Sequence, residues 1–350
     1  MKGQMKAVSK LEPSVGATLI QKEIPSIKPD EILVKIHATS ICGTDYHIYS
    51  WDQWSQNRIK TPQVMGHEFA GEVVEVGSMV NHIKLGDIVS AETHIVCNVC
   101  EMCQTGKGHI CQDTKILGVD CDGAFAEYIA IPAANAWLND PTVPPEYLCI
   151  QEPLGNAVHT VMSGEIVSKS IAVVGVGPIG IMSVAVAKAV GASKVIAIDV
   201  NEYRLNLAKE LGADLCLNPM KDDVVKAVLE ATGGLGVDVV AEMSGNAGAI
   251  NQALKYLKLG GRMSMLGIPN GEVSMDIAND VVFRGIQIHG ITGRRMYDTW
   301  YQVKGLIASG NLNLEKLVTH KLPLEDFAEG MELMKSGNCG KVVLFPNGVK

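Results

Sequence analysis

The segment IAVVGVGPIGIMSVAVAKAVGASKVIAID, residues 171–199, decides the fold of the second half of this chain. It opens with an apolar run, passes through the G-x-G-x-x-G sequence of residues 175–180, continues as a helical stretch, and ends in a second apolar run that stops at Asp199. A strand, a glycine-rich turn, a helix and a second strand ending in an acid are typical of a dinucleotide-binding βαβ unit. The segment therefore predicts a parallel, doubly wound sheet that binds a dinucleotide.

Each glycine of this motif has a separate expected task. Gly175 makes the tight turn, Gly177 lets a pyrophosphate approach the backbone, and Gly180 lets the helix pack closely on the strand. The pyrophosphate would lie at the helix N-terminus, where unpaired N–H groups point outward. Asp199 can accept hydrogen bonds from free ribose hydroxyls and would repel a 2′-phosphate, which favours NAD over NADP. Arg204 complicates this preference, because an arginine nearby can accommodate a 2′-phosphate.

Three further apolar runs, at residues 237–241, 262–266 and 286–289, continue the alternation of strands and helices. They bring the visible strands to five, close to the roughly six of a complete doubly wound domain. Together with the glycines, Asp199 and Arg204, the predicted cofactor contacts are Pro178, Ile179, Leu266, Gly267, Ile268, Ile291 and Thr292.

The N-terminal part has a different pattern. Short β-branched runs at residues 31–37, 71–77 and 87–90 are broken by Gly, Pro and Asp, which predicts a barrel-like or sandwich β region. The tail from residue 294 is too short to fold alone, so we expect it to rejoin that region. The predicted fold class is α/β, with a discontinuous β-rich domain of residues 1–155 and 294–350 and a doubly wound domain of residues 156–293.

Composition narrows the classes of function. The 350 residues include 30 Lys and Arg against 38 Asp and Glu, without a basic stretch, which argues against a nucleic-acid partner. The N-terminus lacks a signal-peptide core, and no run reaches the roughly 18 apolar residues of a membrane span, so we expect a cytoplasmic chain without a membrane partner. Nine cysteines, an odd number with four close together, favour metal ligation over disulfides.

Cys97, Cys100, Cys103 and Cys111 have the spacing C-x2-C-x2-C-x7-C. Four thiolates at this spacing can close around one tetrahedral zinc ion, and because they leave no open coordination position, this zinc would be structural. An iron–sulfur cluster is the alternative, but ferredoxin runs continue with three residues and then Cys-Pro, which this chain lacks. Four reduced cysteines without a metal would leave several nucleophilic thiols in a polar loop.

A second, dispersed set of candidate ligands consists of Cys42, His67, Glu68 and Glu152. A catalytic zinc needs about three protein ligands and one exchangeable position. Adjacent side chains of an extended segment point to opposite sides, so His67 and Glu68 can both bind the ion only if the chain bends. We therefore expect Cys42, His67 and Glu152 as principal ligands, with Glu68 behind them or exchanging with bound water. Spacing alone does not join these residues.

The sequence around these residues resembles the zinc-containing medium-chain dehydrogenase/reductase family over essentially the whole chain. The likeness rests on ICGTD at residues 41–45, GHEFAG at residues 66–71, the four-cysteine loop and the glycine motif. It implies a GroES-like β domain completed by the tail, a Rossmann domain inserted in it, a cleft that holds zinc and nicotinamide, and a homotetramer. Glu152 stands where the alcohol-dehydrogenase branch has a cysteine, a departure shared by the branches that oxidise polyols and threonine.

Residues 44–54, 92–97, 152–160 and 289–294 are most similar to the family members that oxidise L-threonine. The resemblance implies oxidation of its secondary alcohol to 2-amino-3-oxobutanoate, with NAD as hydride acceptor. The two ligand sets of different openness predict two zinc ions per chain. Zinc would lower the pKa of the hydroxyl, and Thr44 would pass its proton through the cofactor ribose to His47. A polyol or 2,3-butanediol substrate stays open, and so does a zinc-dependent binding protein with the Rossmann domain as a redox sensor.

An amino-acid substrate brings an ammonium and a carboxylate that need partners when buried. His94 and Arg294 are the candidates, since a guanidinium can grip a carboxylate with two parallel hydrogen bonds. Two other interpretations are as good: a structural histidine beside the cysteine loop, and an arginine that holds the cofactor or a neighbouring subunit.

Overall fold

The computed structural model describes residues 2–348, and internal contacts separate two units. Unit 1 contains the chain up to Pro153, residues Val318–Ser336 and the chain from Lys341 onward, and unit 2 contains Leu154–Leu317 and Gly337–Gly340. The domain boundaries that the sequence suggests, after residues 155 and 293, stay a prediction.

Antiparallel strands make up most of the N-terminal part of unit 1. The strands are β1 (Gln4–Lys10), β2 (Thr18–Glu23), β3 (Glu31–Ser40), β4 (Gln63–Val64), β5 (Glu68–Val76), β6 (Ile88–Ala91), β7 (His94–Ile95), β8 (Lys115–Ile116), β9 (Tyr128–Pro132) and β10 (Ala136–Leu138). The helices are α1 (Gly43–Ser50), α2 (Gln53–Arg58), α3 (Glu101–Gln104) and α4 (Pro145–Leu148). β3 pairs with both β5 and β9, and the alternate residues Ile32, Val34 and Ile36 pack into one apolar cluster with Phe69 and Val73.

Strands and helices alternate along the next part of the chain. The strands are β11 (Ser170–Val174), β12 (Lys194–Ile198), β13 (Leu215–Leu217), β14 (Val237–Glu242), β15 (Leu257–Met265) and β16 (Gln287–Gly290). The helices are α5 (Gln151–Val161), α6 (Pro178–Ala189), α7 (Glu202–Glu210), α8 (Val224–Ala231), α9 (Ala247–Tyr256), α10 (Asp298–Ala308) and α11 (Leu314–Leu317).

The strands of unit 2 form one parallel sheet in the order β13-β12-β11-β14-β15-β16. This is the strand order of a doubly wound dinucleotide-binding sheet, with a crevice at the carboxyl ends of its first strands. Its core includes Ala172, Val174, Ile196 and Val240, which are buried as expected for a sheet covered on both faces. The predicted fold class, a β-rich domain plus a doubly wound parallel sheet, is confirmed.

The tail returns to the sheet of unit 1. It contains β17 (Val318–Pro323), α12 (Phe327–Ser336) and β18 (Lys341–Phe345). β18 runs parallel to β17 and antiparallel to β3, with Val343 opposite Ser40. The earlier helices α10 and α11, which also follow residue 294, group with unit 2. No helix within residues 2–348 has both the length and the apolar character that crossing a membrane requires.

Candidate active site and metal centres

The glycine motif forms the turn between β11 and α6. Gly175 has φ +84°, and a Cβ there would lie 2.9 Å from atoms of Ser244. A Cβ on Gly180 would collide with the carbonyl oxygen of Gly175, so helix and strand pack closely only because both residues are glycine. Around Gly177, the N-cap of α6, the nearest atom to a Cβ would be Nη1 of Arg204 at 3.9 Å. The backbone at Gly177 is therefore open on the side of its Cα hydrogen, as the close approach of a pyrophosphate to a helix N-terminus requires.

Asp199 follows β12 and is almost fully buried at the same turn. Its Oδ2 accepts a hydrogen bond from the backbone N–H of Val176, and its Oδ1 accepts one from the backbone N–H of Asn201, both at 2.8 Å. An ionised carboxylate has about four lone pairs, so it can still accept from ribose hydroxyls. Arg204 donates through Nε to the carbonyl of Gly337 at 3.1 Å, which fixes its guanidinium close to Gly177.

The remaining predicted cofactor contacts lie at the ends of neighbouring strands. Leu266 and Gly267 follow β15 and donate their N–H groups to the carbonyl of Glu242 at 2.9 and 3.1 Å. Ile268 is next along the chain and is exposed. Ile291 follows β16 and donates to the carbonyl of Met265, with Thr292 next. In open parallel sheets, ligands bind at these carboxyl ends. The contacts themselves stay a prediction.

The four-cysteine loop brings its sulfur atoms together without disulfides. Sγ of Cys111 lies 3.5 Å from Sγ of Cys97 and 3.8 Å from Sγ of Cys100, and all four sulfurs lie within 4.8 Å of one another. Thiolates about 2.3 Å from one tetrahedral zinc ion would be about 3.8 Å apart, so the spacing fits zinc. Backbone N–H groups, first that of Cys103, lower the pKa of Cys100 to about 6, whereas burial and the neighbouring sulfurs raise the pKa of Cys103 to about 12. The thiolate form is thus favoured on part of the group, and a bound metal would favour it on all four sulfurs.

A second group contains Cys42, His67 and Glu68, whose donor atoms also lie within 4.8 Å of one another. Cys42 precedes α1, and Glu68 is the first residue of β5. Gly66, with φ +87°, turns the chain just before the strand, so that adjacent His67 and Glu68 face the same group. Within the described residues, Nδ1 of His67 and Oε1 of Glu68 are buried without a hydrogen-bond partner. A thiol, an imidazole and a carboxylate whose Oε1 is buried without a partner fit a zinc ion.

Asp45 supports this group from the first turn of α1. It is fully buried, and its two oxygens accept hydrogen bonds from the backbone N–H groups of Cys42 at 2.9 Å and Gly66 at 3.1 Å. Its Oδ1 lies 3.7 Å from Nδ1 of His67. Burial lowers the pKa of His67, but the charges of Asp45 and Cys42 raise it more, to about 10. At 3.7 Å the carboxylate makes no hydrogen bond to the ring, so it acts on His67 through its charge.

Glu68 has its own partners on the side away from Cys42 and His67. Its Oε2 accepts hydrogen bonds from the hydroxyl of Ser40 and from Nζ of Lys341, which is also fully buried. Nζ of Lys341 donates in addition to the carbonyl of Ile41 at 2.7 Å. Burial lowers the pKa of Lys341, but the carboxylate of Glu68 and the thiol of Cys42 raise it more. A buried ion pair from β18 therefore fixes the Glu68 side chain.

Glu152 is close to this group but is not one of its three members. It lies in the first turn of α5, almost fully buried, and its Oε1 accepts a hydrogen bond from the hydroxyl of Thr93 at 3.1 Å. Its charge is among those that raise the pKa of His67. The structure thus groups Glu68 with Cys42 and His67, where the sequence favoured Glu152. Which carboxylate binds the metal stays a prediction.

The two residues expected to move a proton both lie on α1. The hydroxyl of Thr44 is 3.9 Å from Sγ of Cys42, beside the metal group. His47 lies one turn further, with its side chain 58% exposed and Nδ1 2.6 Å from Oδ2 of Asp52. The helix therefore runs from the buried ligand group toward solvent, which suits a proton pathway.

The two expected substrate residues have partners within their own units. Arg294 is 2% exposed, packs against Gly155 and donates through Nη1 to Oδ1 of Asn156 at 3.2 Å. His94 lies in β7, with Nδ1 3.3 Å from Oε1 of the buried Glu92. The contacts of Arg294 hold the loop after β16 against α5. The contact of His94 holds the segment before the cysteine loop against Glu92. A substrate role for either residue stays a prediction.

The sequence prediction missed several side chains that organise the site. Asp45 stands three residues after Cys42, the spacing of a helix capping box, and this signal was available in the sequence. Ser40, Thr93 and Lys341 carry no such local signal. Their positions follow from strand pairing between distant segments, above all from β18 against β3.

Two family models match the chain. One, described as an alcohol dehydrogenase GroES-like domain, covers residues 28–141. The other, described as a zinc-binding dehydrogenase, covers residues 178–309. The first match falls on the β-rich part of unit 1, and the second falls on the doubly wound sheet of unit 2.

Relatives and solved structures agree with these matches. The L-threonine 3-dehydrogenase of Caldanaerobacter subterraneus is 57% identical over 347 residues, 99% of this chain and 100% of that protein. The structure of 2R,3R-butanediol dehydrogenase from Bacillus subtilis is 30% identical, with a TM-score of 0.89 over 98% of this chain and 100% of that one. A zinc-binding dehydrogenase from Sinorhizobium meliloti, bound to NADP, is 29% identical, with a TM-score of 0.90 over 98% and 100%. The chain belongs to the zinc-containing medium-chain dehydrogenase/reductase family.

Proposed function

We propose that the chain oxidises the secondary alcohol of L-threonine to 2-amino-3-oxobutanoate, with NAD as the hydride acceptor and zinc at the active site. The observation that carries this proposal is the 57% identity to an L-threonine 3-dehydrogenase over 99% of the chain. The geometry supports it, because an open glycine turn on a doubly wound sheet and a buried group of thiol, imidazole and carboxylate supply what alcohol oxidation by hydride transfer needs.

In the described conformation, Cys42, His67 and Glu68 would hold the catalytic zinc, and Glu152 is the nearby carboxylate that could take the place of Glu68. When bound, this zinc makes an alcohol hydroxyl acidic enough to lose its proton near neutral pH. The negative charge of Asp45, 3.7 Å from Nδ1, makes the His67 ring more basic. The four-cysteine loop would hold a second, structural zinc, because four thiolates leave no position for a substrate.

Thr44 and His47 move the substrate proton in this proposal. The hydroxyl of Thr44, 3.9 Å from the Cys42 sulfur, accepts a hydrogen bond from the substrate alcohol. His47 receives the proton at its imidazole and releases it to solvent, for which its exposed position is suited.

The cofactor is NAD in this proposal because of Asp199. Its carboxylate is held in place by two backbone N–H groups and would repel a 2′-phosphate while accepting from ribose hydroxyls. Arg204, fixed beside Gly177 by the carbonyl of Gly337, is placed to neutralise the negative charge of the cofactor's pyrophosphate rather than to select a second phosphate.

The nearest alternative is a polyol or 2,3-butanediol as substrate, favoured by the likeness to the 2R,3R-butanediol dehydrogenase structure. The two functions differ in charge, because an amino acid needs partners for its ammonium and carboxylate and a diol does not. His94 and Arg294 are the proposed partners, the first beside the buried Glu92 and the second almost fully buried.

A steady-state substrate panel tests the proposal. NADH formation is measured with L-threonine, D-threonine, sorbitol and 2,3-butanediol, and each substrate is offered with NAD and with NADP. We expect the highest kcat/KM for L-threonine with NAD. A higher value for butanediol or sorbitol would establish the alternative substrate, and no reduced cofactor from any alcohol would favour the zinc-dependent binding protein.

We also propose that the protein is a homotetramer. Its proposed location is the cytoplasm, which is a reducing compartment. In the described residues β16 is the last strand of its sheet, paired on one side by β15, and Ile288 on it is partly exposed. Phe283 and Val282, just before it, are strongly exposed. An edge strand with exposed apolar neighbours is suited to pairing with a second copy. The nine free cysteines fit a reducing environment, and light scattering measures the number of subunits.

A further inference from the structure

His47 has a carboxylate partner that the sequence did not single out. Nδ1 of His47 lies 2.6 Å from Oδ2 of Asp52. Asp52 is the N-cap of α2, and its Oδ1 accepts hydrogen bonds from the backbone N–H and from the hydroxyl of Ser55, each at 3.0 Å. One oxygen is therefore anchored to α2 while the other is directed at the imidazole on α1.

The turn between α1 and α2 creates this contact. Trp51 ends α1 in the left-handed conformation, with φ 57° and ψ 47°, so the chain reverses and Asp52 lies beside the last turn of α1. Nζ of the buried Lys10 lies 4.8 Å from the centre of the Trp51 ring and donates to the carbonyl of Tyr49 at 3.4 Å. The contact between His47 and Asp52 is thus supported by β1 as well as by both helices.

The pairing fixes where the imidazole carries its proton. A neutral imidazole has one N–H and one nitrogen with a free lone pair, and an ionised carboxylate can only accept hydrogen bonds. At 2.6 Å from Oδ2, Nδ1 must therefore be the N–H nitrogen, which leaves the lone pair on Nε2. A base in a proton pathway needs this lone pair, and the carboxylate stabilises the imidazolium that forms when Nε2 takes the proton.

We propose that Asp52 is a positioning residue for the reaction: it holds His47 in the Nδ1–H tautomer, so that Nε2 receives the substrate's proton. This inference rests on the proposed function, because the proton pathway belongs to alcohol oxidation. The competing interpretation is that Asp52 only caps α2. The two differ in one respect, since a cap needs an acceptor oxygen but no charge, and Asn caps a helix about as well as Asp does.

Asp52→Asn separates these interpretations, because it keeps the cap and removes the charge. Its single oxygen stays on the N–H and hydroxyl of Ser55, so its NH2 group faces Nδ1 and can only donate, which favours the Nε2–H tautomer. The measurement is the ¹⁵N NMR spectrum of histidine-labelled protein at alkaline pH, where imidazoles are neutral. The signals of His47 are identified by their loss in His47→Gln. We expect the Nδ1–H form in the original protein and the Nε2–H form in Asp52→Asn; an unchanged tautomer would overturn the proposal.

Kinetics supply the second readout. Asp52→Asn is expected to lower kcat about tenfold for the best alcohol of the panel, at unchanged KM for NAD, because only proton transfer is affected. In the double variant, adding Asp52→Asn to His47→Gln should lower kcat no further. If the two substitutions instead lower kcat independently, so that their effects add as free energies, the proposal is overturned. Asp223→Asn is the matched control: Asp223 caps α8 through the N–H of Lys226, and its replacement should leave both readouts unchanged. If no alcohol gives NADH, the proposed function fails, and the tautomer measurement alone decides the role of Asp52.

Discussion

The four-cysteine loop and the Cys42–His67–Glu68 group differ in how the chain assembles them. The loop takes all its candidate ligands from residues 97–111, and their spacing alone indicates a tetrahedral site. The second group joins the start of α1 to the start of β5, and it is supported by Lys341, which lies 300 residues from Ile41 along the chain. Local spacing can specify a closed metal site, whereas an open site in a protein core depends on the whole sheet.

The two groups also differ in their surroundings. The cysteine loop is partly exposed, and backbone N–H groups point at its sulfurs, as from Cys100 to Cys97 at 3.3 Å. In the second group His67 and Glu68 are buried, and each has a charged neighbour, Asp45 or Lys341. Burying charge is costly unless partners compensate it, so the second group needs a network that the first does not. The following predictions test this difference.

Removal of metal should have the largest effect. We expect two zinc ions per chain and two steps of release when a chelator is added, because one group is closed by four thiolates and the other has three members and room for exchange. The first step should abolish NADH formation while the far-ultraviolet circular dichroism persists. A zinc-sensitive dye follows the release. A single zinc ion per chain would contradict the proposed difference between the two groups. So would release of both ions in one step that also unfolds the protein.

Lys341→Met should have the next largest effect. It leaves the carboxylate of Glu68 buried without its cation, which is expected to lower the free energy of unfolding by about 3 to 5 kcal/mol, as when one partner of a buried pair is removed. Urea unfolding of the zinc-free and zinc-loaded protein measures this. The decrease in the free energy of unfolding should be smaller in the zinc-loaded protein, because the metal supplies a cation near Glu68.

The control for this change is Lys226→Met. Lys226 and Glu230 form an exposed pair at 4.0 Å, with side chains 70% and 69% exposed, so its loss should change the free energy of unfolding by less than about 0.5 kcal/mol. Equal effects of the two substitutions would mean that the buried pair does not support the metal group.

The two groups also show how far the sequence predicts the site. The glycine turn and the cysteine loop follow from local spacing, because each is made within one short segment. The closeness of Glu68 to Cys42 and His67 did not follow, since the turn at Gly66 that brings His67 and Glu68 to the same group cannot be told from any other glycine in the sequence, and which carboxylate binds the metal stays a prediction. Lys341 and Asp52 become visible only once β18 pairs with β3 and Trp51 turns the chain.

The fold itself was predicted in class but not in every element. β13 was missed because it has only three residues, Leu215–Leu217, of which Leu217 alone is fully buried, so its apolar run is too short to stand out. Strand β17 was also missed, since its polar residues Thr319, His320 and Lys321 show no apolar run. Edge strands are stabilised by pairing with the neighbouring strand, and the hydrophobic periodicity of the edge strand's own sequence does not reveal this pairing.

Asp45→Asn should have an intermediate effect. Both oxygens of Asp45 accept backbone N–H groups, so an amide places its NH2 against one of them and also removes the charge beside His67. We expect zinc affinity of the buried group to fall about 10- to 100-fold, measured by competition with a chromophoric chelator. Asp122→Asn, whose Oδ1 also accepts a backbone N–H, that of Val64, is the control and should keep the affinity. Unchanged affinity in both variants would remove Asp45 from the metal group.

Cys103→Ser should have the smallest effect on catalysis. It removes one sulfur of the partly exposed loop, so the proposed structural zinc would bind more weakly there and the loop would lose its stabilising ion. Because the loop is a local structure without a catalytic role, we expect kcat at low temperature to remain close to its original value while Tm falls by a few degrees. Calorimetry and zinc analysis measure the second effect, and Cys216→Ser, which alters a cysteine outside both groups, is the control. A large loss of kcat in Cys103→Ser at a temperature where the protein stays folded would show that the closed site shapes the open one, and the two groups could then no longer be treated as independent.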